Sequence, residues 1–144
     1  MQKIKIGKAK VSDSQTIRKL EEKVWDEEVT NKYDIPMFVR FGYVYVAHDG
    51  KKLIGAIVGY RTNRDEIYIC DLVVDKKYRG LKIGERLYRK LLKDTKGKNT
   101  VSFINLGNAE SIGLHKKLGA KIVGKIKNAY NLGEGNRLFV RLKN

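Results

Sequence analysis

The sequence predicts a mixed α/β (α+β) domain built on a twisted, mainly antiparallel sheet flanked by helices. Three observations carry this prediction. Two strand-turn-strand patterns follow one another between residues 43 and 75. Stretches with apolar residues at helical spacing stand on both sides of them. The apolar run at 66–75 is followed by a helix and then by another β-rich run at 100–104, a β-α-β unit that calls for a right-handed parallel crossover. A length of 144 residues, 42% of them hydrophobic, suits one domain over residues 1–144 with a sizeable core.

The elements follow in order. Residues 3–10 alternate weakly around Ile4 and Ile6 and read as a first strand. Ser12 and Gln15 stand at the spacing of a capping box. Behind them Ile17, Leu20 and Val24 give a helix to about Trp25. Residues 32–41 suit a short second helix after a loop. Residues 43–47 are rich in β-formers, Asp49-Gly50 suits a two-residue hairpin turn, and residues 53–60 return. Residues 62–65 make the next turn, before the apolar strand 66–75. A basic, glycine-containing loop covers 76–84. Ile83, Leu87, Tyr88, Leu91 and Leu92 then form one helical stripe, to about Thr95. Residues 100–104 are a strand. Asn108 caps a helix whose inward face holds Ile112, His115 and Leu118, and Gly119 fits its C′ position. Residues 121–125 and 137–142 close the sheet.

Composition narrows the function. Lys and Arg number 31 against 16 Asp and Glu, a formal net charge of +15. Such a field attracts polyanions, whether nucleic acid or a phosphate-rich small molecule. The basic amino-terminus has no apolar segment behind it, and no run reaches the ~18 residues of a membrane span. With a lone cysteine, Cys70, the expectation is a soluble, cytoplasmic protein without disulfides. Two histidines and one cysteine in separate elements offer no metal-ligand spacing, so no metal is expected. Cys70 reads as core, and the tyrosines at 43, 45, 60, 68 and 78 as strand packing or pocket walls.

The segment 72–84 is the most informative. It joins a buried strand to the start of an amphipathic helix, whose unpaired N–H groups and positive dipole end suit a phosphate. Gly80 and Gly84 permit close backbone approach, and Arg79 and its lysine neighbours add charge. Here the sequence resembles the GNAT superfamily of N-acetyltransferases. Leu72-Val73-Val74 matches the family's strand ending, and Arg79-Gly80-Leu81-Lys82-Ile83-Gly84 its glycine-rich loop, with Lys82 in place of the middle glycine. Residues 108–120 match a second family block, Asn-x-x-[Ala/Ser]-x-x-Leu-Tyr-x-Lys-x-Gly-Phe, with His115 for the tyrosine and Ala120 for the phenylalanine.

The resemblance implies a GNAT acyl-CoA N-acyltransferase fold and acetyl-CoA as co-substrate. Leu72, Val73 and Val74 would pair through their backbone with the pantetheine arm. Arg79, Gly80, Leu81, Lys82, Ile83 and Gly84 would hold the pyrophosphate, and Asn108 would touch the pantetheine region. The reaction would be direct attack of a neutral amine on the thioester. His115 is the candidate proton donor to the departing thiolate; the competing reading is a histidine packed on the inner helix face. Asp71 is the first candidate for the base, Glu66 the second, and a water chain the third. The Asn-x-x-Ser-x-x-Leu-His pattern resembles that of phosphinothricin acetyltransferases and suggests a small-molecule amine. Phe103 stands where relatives acting on protein N-termini often have glutamate, which weighs against a peptide amine. Acceptor specificity is expected from the first helix, residues 26–42 and residues 127–136. Oligomeric state is left open between monomer and homodimer. The alternative function is a nucleic-acid-binding or regulatory module on the same fold, without catalysis.

Overall fold

The computed structural model describes residues 3–133 and 135–144. Met1 and Gln2, part of the amino-terminal reading above, and Glu134, within the 127–136 segment, lie outside the described residues. Seven strands, β1 (Ile4–Lys8), β2 (Tyr43–Asp49), β3 (Lys52–Arg61), β4 (Ile67–Val74), β5 (Thr100–Asn105), β6 (Lys121–Ile126) and β7 (Arg137–Leu142), form one sheet in the order β1-β2-β3-β4-β5-β7-β6. Every neighbouring pair is antiparallel except β4 with β5. Four helices flank it: α1 (Ser14–Trp25), α2 (Asp34–Phe41), α3 (Ile83–Asp94) and α4 (Ala109–Lys117).

Strand alternation sorts the core onto two faces. Tyr45 and Ala47 of β2, Ile57 of β3, and Ile67 and Ile69 of β4 pack with Ile83, Leu87, Tyr88 and Leu91 of α3 and with Leu114 of α4. Their sequence neighbours Val44, Val46, Val58 and Val73 point the other way, onto Ile17, Leu20 and Val24 of α1 and Ile35 of α2. The crossover from β4 to β5 runs through α3, as the apolar spacing predicts.

Two local expectations need correction. Ser12 does not cap the first helix. Asp13 Oδ2 accepts from the Lys10 N–H at 2.8 Å, closing a 3-10 turn (Val11–Asp13) that leads into α1 without a side-chain cap. Gln15 is drawn away, accepting from Arg18 Nη1 at 2.9 Å. The first hairpin also turns one residue later than read. Asp49 pairs with Lys52, and the two-residue loop is Gly50-Lys51, with Gly50 at φ +59°. The short second helix is real. Asn31 Oδ1 accepts from the N–H groups of Tyr33 and Asp34 at 2.9 and 2.8 Å, and Pro36 sits in the first turn, where it sacrifices no intrahelical bond.

Candidate active site

The sheet opens at its centre. β4 and β5 pair only at Ile67 with Thr100 and Tyr68 with Val101, so from Ile69 to Val74 the β5-facing edge of β4 has no strand beside it. On its other edge β4 bulges: Val58 of β3 faces Asp71 and Gly59 faces Ile69, leaving Cys70 as the extra residue. Such a bulge bends a strand and re-aims its side chains. Leu72 and Val74 pack on the side of α3 and α4, whereas Val73, 1% exposed, is buried on the opposite face.

The loop after β4 is pinned at both ends. Buried Asp75 accepts from the Lys77 N–H at 3.0 Å and from Lys23 Nζ at 3.1 Å. That backbone bond, with Lys23 and Lys52 nearby, holds its carboxyl below the usual range. The Tyr78 hydroxyl donates to Asp49 Oδ2 at 2.6 Å. Between these anchors and α3, the exposed residues Arg79, Gly80, Leu81 and Lys82 arch over the helix N-terminus. Gly80 has φ +83°, and Lys82, the N-cap of α3, lies in the left-handed region at φ 60°, ψ 27°. Lysine thus keeps the backbone shape that glycine would supply. A left-handed residue beside the first helical residues gathers N–H groups into an anion-binding concavity. Gly84 faces elsewhere. A Cβ there would meet Val74, Leu114 and Leu72 side chains at 3.8 to 3.9 Å, so its missing side chain faces the β4–α4 contact.

Asp71 sits on the bulge, facing α1. Its Oδ1 accepts from Trp25 Nε1 at 3.2 Å. Glu21, 1% exposed, comes from α1, and its Oε1 accepts from the Thr30 hydroxyl at 2.6 Å. The other oxygens, Asp71 Oδ2 and Glu21 Oε2, are shut off from solvent and face no ordinary donor. Glu21 is the carboxyl beside Asp71 and is hydrogen-bonded to it. Burial first, then the Glu21 hydrogen bond and charge, pushes the Asp71 carboxyl well above the usual carboxylate range. Sequence reasoning named Asp71 but missed Glu21. The available signal was its place four residues after Ile17, a carboxylate on the inward stripe of a helix. Glu66, the second candidate base, precedes β4 and is ion-paired with Arg141 at 2.9 Å, away from the bulge.

His115 is 5% exposed and lies edge-on to Tyr88 with ring centroids 5.2 Å apart. Its Nδ1 is 2.8 Å from the Ser111 carbonyl oxygen, so Nδ1 carries the hydrogen and donates. Nε2 then accepts from the Ser102 hydroxyl at 3.2 Å. Burial lowers its pKa, so the ring is neutral and both nitrogens are engaged inside the core. This geometry fits the packing reading. Asn108 is committed in part as well: its Oδ1 accepts from the Ser111 N–H at 3.0 Å, capping α4. At the other end Gly119, at φ +94°, closes α4, with the Ala120 N–H donating to the His115 carbonyl at 2.9 Å.

Asp71 thus stands on the strand whose open edge leads into the 79–84 loop, while Glu66 is engaged by Arg141 and His115 by Ser102 and Ser111. A cavity of about 350 Å³ opens beside the bulge, between the α1–α2 connection and the strands β3 and β4, with Cys70, Tyr60 and Tyr68 in its wall. Tyr68 meets Phe103 with ring centroids 6.1 Å apart, and Phe103 meets Tyr130 at 5.9 Å, which brings the β6–β7 connection to the same place. Among the described residues, no three His, Cys, Asp or Glu side chains cluster to hold a metal ion. Among the same residues, no helix is long and apolar enough to cross a membrane.

Comparison with known proteins gives three kinds of finding. The sequence model of the Acetyltransferase (GNAT) family matches residues 14–120. No curated protein matches the chain by sequence. Solved structures match closely in shape. Ard1 from Thermoplasma volcanium superposes with a TM-score of 0.85 at 20% identity, covering 97% of both chains. Naa50 from Arabidopsis thaliana, in complex with the bisubstrate analogue CoA-Ac-MVNAL, gives 0.82 at 19% identity, over 98% of this chain and 99% of that one. The yncA protein of Salmonella typhimurium, with its cofactor acetyl-CoA, gives 0.81 at 18% identity, over 97% and 93%.

Proposed function

Because the chain belongs to the acetyltransferase (GNAT) family, we propose that it transfers the acetyl group of acetyl-CoA to the primary amine of a small molecule. The observation that carries this reading is the parting of β4 from β5 after Tyr68. It leaves backbone N–H and C=O groups of residues 69–74 in position to pair with an extended amide-bearing chain, as they would with a strand. Pantetheine is such a chain. At the end of the same strand, Arg79, Gly80, Leu81, Lys82 and the first N–H groups of α3 suit the pyrophosphate, while Leu72 and Val74 flank the arm. The structure of yncA with acetyl-CoA is a precedent for this donor in a protein of the same shape.

Acetyl-CoA supplies an activated thioester. The chain's own residues bring the amine to it and take up a proton. An ammonium ion must lose a proton before its nitrogen can attack. The pair of Asp71 and Glu21 is the acceptor, relayed past Cys70 and Thr30 at the cavity wall. As the C–N bond forms, the nitrogen sheds its second proton to solvent, and the C–S bond breaks with its electron pair leaving on sulfur. A thiol with a pKa of ~8.5 is a good leaving group as thiolate, so the step needs no acid from His115, and solvent protonates the sulfur. The small cavity and Phe103 favour a small-molecule amine over a protein terminus.

Two measurements test the reading. Acetyl-CoA at 100 times its dissociation constant stabilises the fold by about 2.7 kcal/mol, seen as a rise in Tm; no shift at millimolar acetyl-CoA refutes the donor site. A thiol-release screen over amines and peptides then identifies the acceptor, and release with peptides alone refutes the small-molecule reading.

A further inference from the structure

The cavity beside the bulge has the wrong electrostatic character for this protein. The chain as a whole carries +15, with 31 Lys and Arg, yet none of these lines the cavity. Its charged lining residues are Glu28 and Asp34, both exposed and neither ion-paired among the described residues. Asp34 accepts only a neutral hydrogen bond, from Asn31 Nδ2 at 2.7 Å. Three of the other lining residues, Phe38, Tyr60 and Tyr68, are aromatic. Phe38 stacks on Tyr60 with ring centroids 5.5 Å apart and planes 12° apart, and Tyr60 meets Tyr68 at 5.5 Å. Behind the wall, Thr30 leads to Glu21 at 2.6 Å, and Cys70 precedes Asp71. Each of these two carboxyls keeps one buried oxygen without a conventional donor.

Carboxylates at a mouth, aromatic rings along a wall and a proton-accepting pair behind them make a site for cations. Ring faces attract ammonium groups within about 6 Å. Against a net basic surface, a cavity lined by carboxylates and free of Lys and Arg attracts cations. One ammonium of the acceptor has to reach the bulge, where its proton is removed. Glu28 and Asp34 line a different part of the cavity, on the α1–α2 connection and the start of α2, and are free to hold a second positive charge.

Resting on the acetyltransferase reading above, we propose that the acceptor is an amine carrying a second cationic centre, of the α,ω-diamine class. The reacting nitrogen faces the β4 bulge. The second ammonium lies against Glu28, Asp34 and the Phe38–Tyr60 stack. Amines bearing a carboxylate or phosphate are excluded by the same two acids.

The test is a matched pair of probes, 1,4-diaminobutane and n-butylamine, which share a reacting group and differ in the second charge. Thiol release gives kcat/KM for each, and calorimetry on the protein saturated with CoA gives binding of each. The diamine is expected to exceed the monoamine at least tenfold in both, beyond the factor of two for its two equivalent nitrogens. Glu28→Gln and Asp34→Asn are each expected to cut the ratio, and the double variant to bring it within about threefold. Both positions are exposed; thermal unfolding checks each variant, and Glu28→Gln alone suffices if Asp34→Asn weakens α2. A wild-type ratio near two, or a ratio that survives the double substitution, overturns the proposal. The two readings fail separately. Turnover without preference refutes the cationic pocket and leaves the transferase standing. Tight diamine binding without thiol release from any amine sustains the pocket and refutes the transferase.

Discussion

Lys82 offers a sharp test, because its backbone and its side chain make opposite demands. It caps α3 at φ 60°, ψ 27°, a conformation that costs an L-residue roughly 1–2 kcal/mol through the clash of Cβ with the following carbonyl. Lys82→Gly removes that strain. It also gives the unfolded chain more freedom, which costs about 0.5–1 kcal/mol. The expected balance is a gain of ~0.5–1 kcal/mol, or a Tm rise of about 2–4 °C for a domain of this size. Lys82→Ala keeps the strain and should match the parent within about 0.5 kcal/mol. The glycine variant, more stable but lacking one charge at the anion loop, should bind acetyl-CoA a few-fold more weakly and with a shallower dependence on salt. Thermal unfolding of the three proteins, and calorimetric titration of acetyl-CoA at two ionic strengths, measure both halves. A glycine variant no more stable than the alanine variant would refute the strain argument. Unchanged affinity and salt dependence would remove Lys82 from the phosphate site.

Three further outcomes follow from the site. Gly84→Ala adds a methyl at ordinary contact distance from Val74, Leu114 and Leu72 and raises helix propensity by about 1 kcal/mol. It should raise Tm and spare acetyl-CoA affinity, and a tenfold loss of affinity would put the ligand against Gly84 itself. His115→Phe should keep turnover and lose about 1–3 kcal/mol, because the Ser102 hydroxyl and Ser111 carbonyl lose their partner. Burial lowers the folded pKa of His115, so its contribution is present above about pH 6.5, the unfolded value, and lost as pH falls through the folded pKa; the variant should lack that acid loss, and a large fall in turnover would restore the proton-donor role. Asp71 has the opposite sign. Its raised folded pKa makes its contribution complete below about pH 3.9, the unfolded value, and lost as pH rises through the folded pKa. Asp71→Asn should therefore flatten the alkaline side of the Tm–pH curve while lowering turnover by ~10²–10⁴-fold, and an unaltered rate would dismiss the pair as proton acceptor.

What was legible in the sequence was what short-range pattern encodes. The stripe of Ile83, Leu87, Tyr88 and Leu91, the Asn108 cap with its Gly119 terminator, and the basic loop at 79–84 each depend on neighbours within a few residues. The opening between β4 and β5 was legible only through family likeness, because strand divergence depends on how two segments 30 residues apart lie in space. The Glu21–Asp71 pair joins residues 50 apart, and it forms because a bulge at Cys70 aims Asp71 at α1. No periodicity announces a bulge. His115 could be read either way for a related reason: its place in the motif suggests chemistry, whereas its bonds to Ser102 on β5 and Ser111 one turn back depend on the fold.

The two-residue meeting of β4 and β5 also divides the molecule along its own chain. Strands β1 to β4 come from residues 4–74, and β5 to β7 from residues 100–142, so each half of the sheet is a contiguous stretch joined to the other by α3 and by Ile67 and Tyr68. Sheet amides are normally the last to exchange with solvent, because they open only with the whole domain. Here the seam-facing amides between 69 and 74 should exchange early, in the middle of a protected sheet. Deuterium uptake along β4 should then fall sharply when the donor binds, together with the uptake of β5 across the gap. On the proposed reading the bound donor would serve as a strand across the gap, and the two halves would open together.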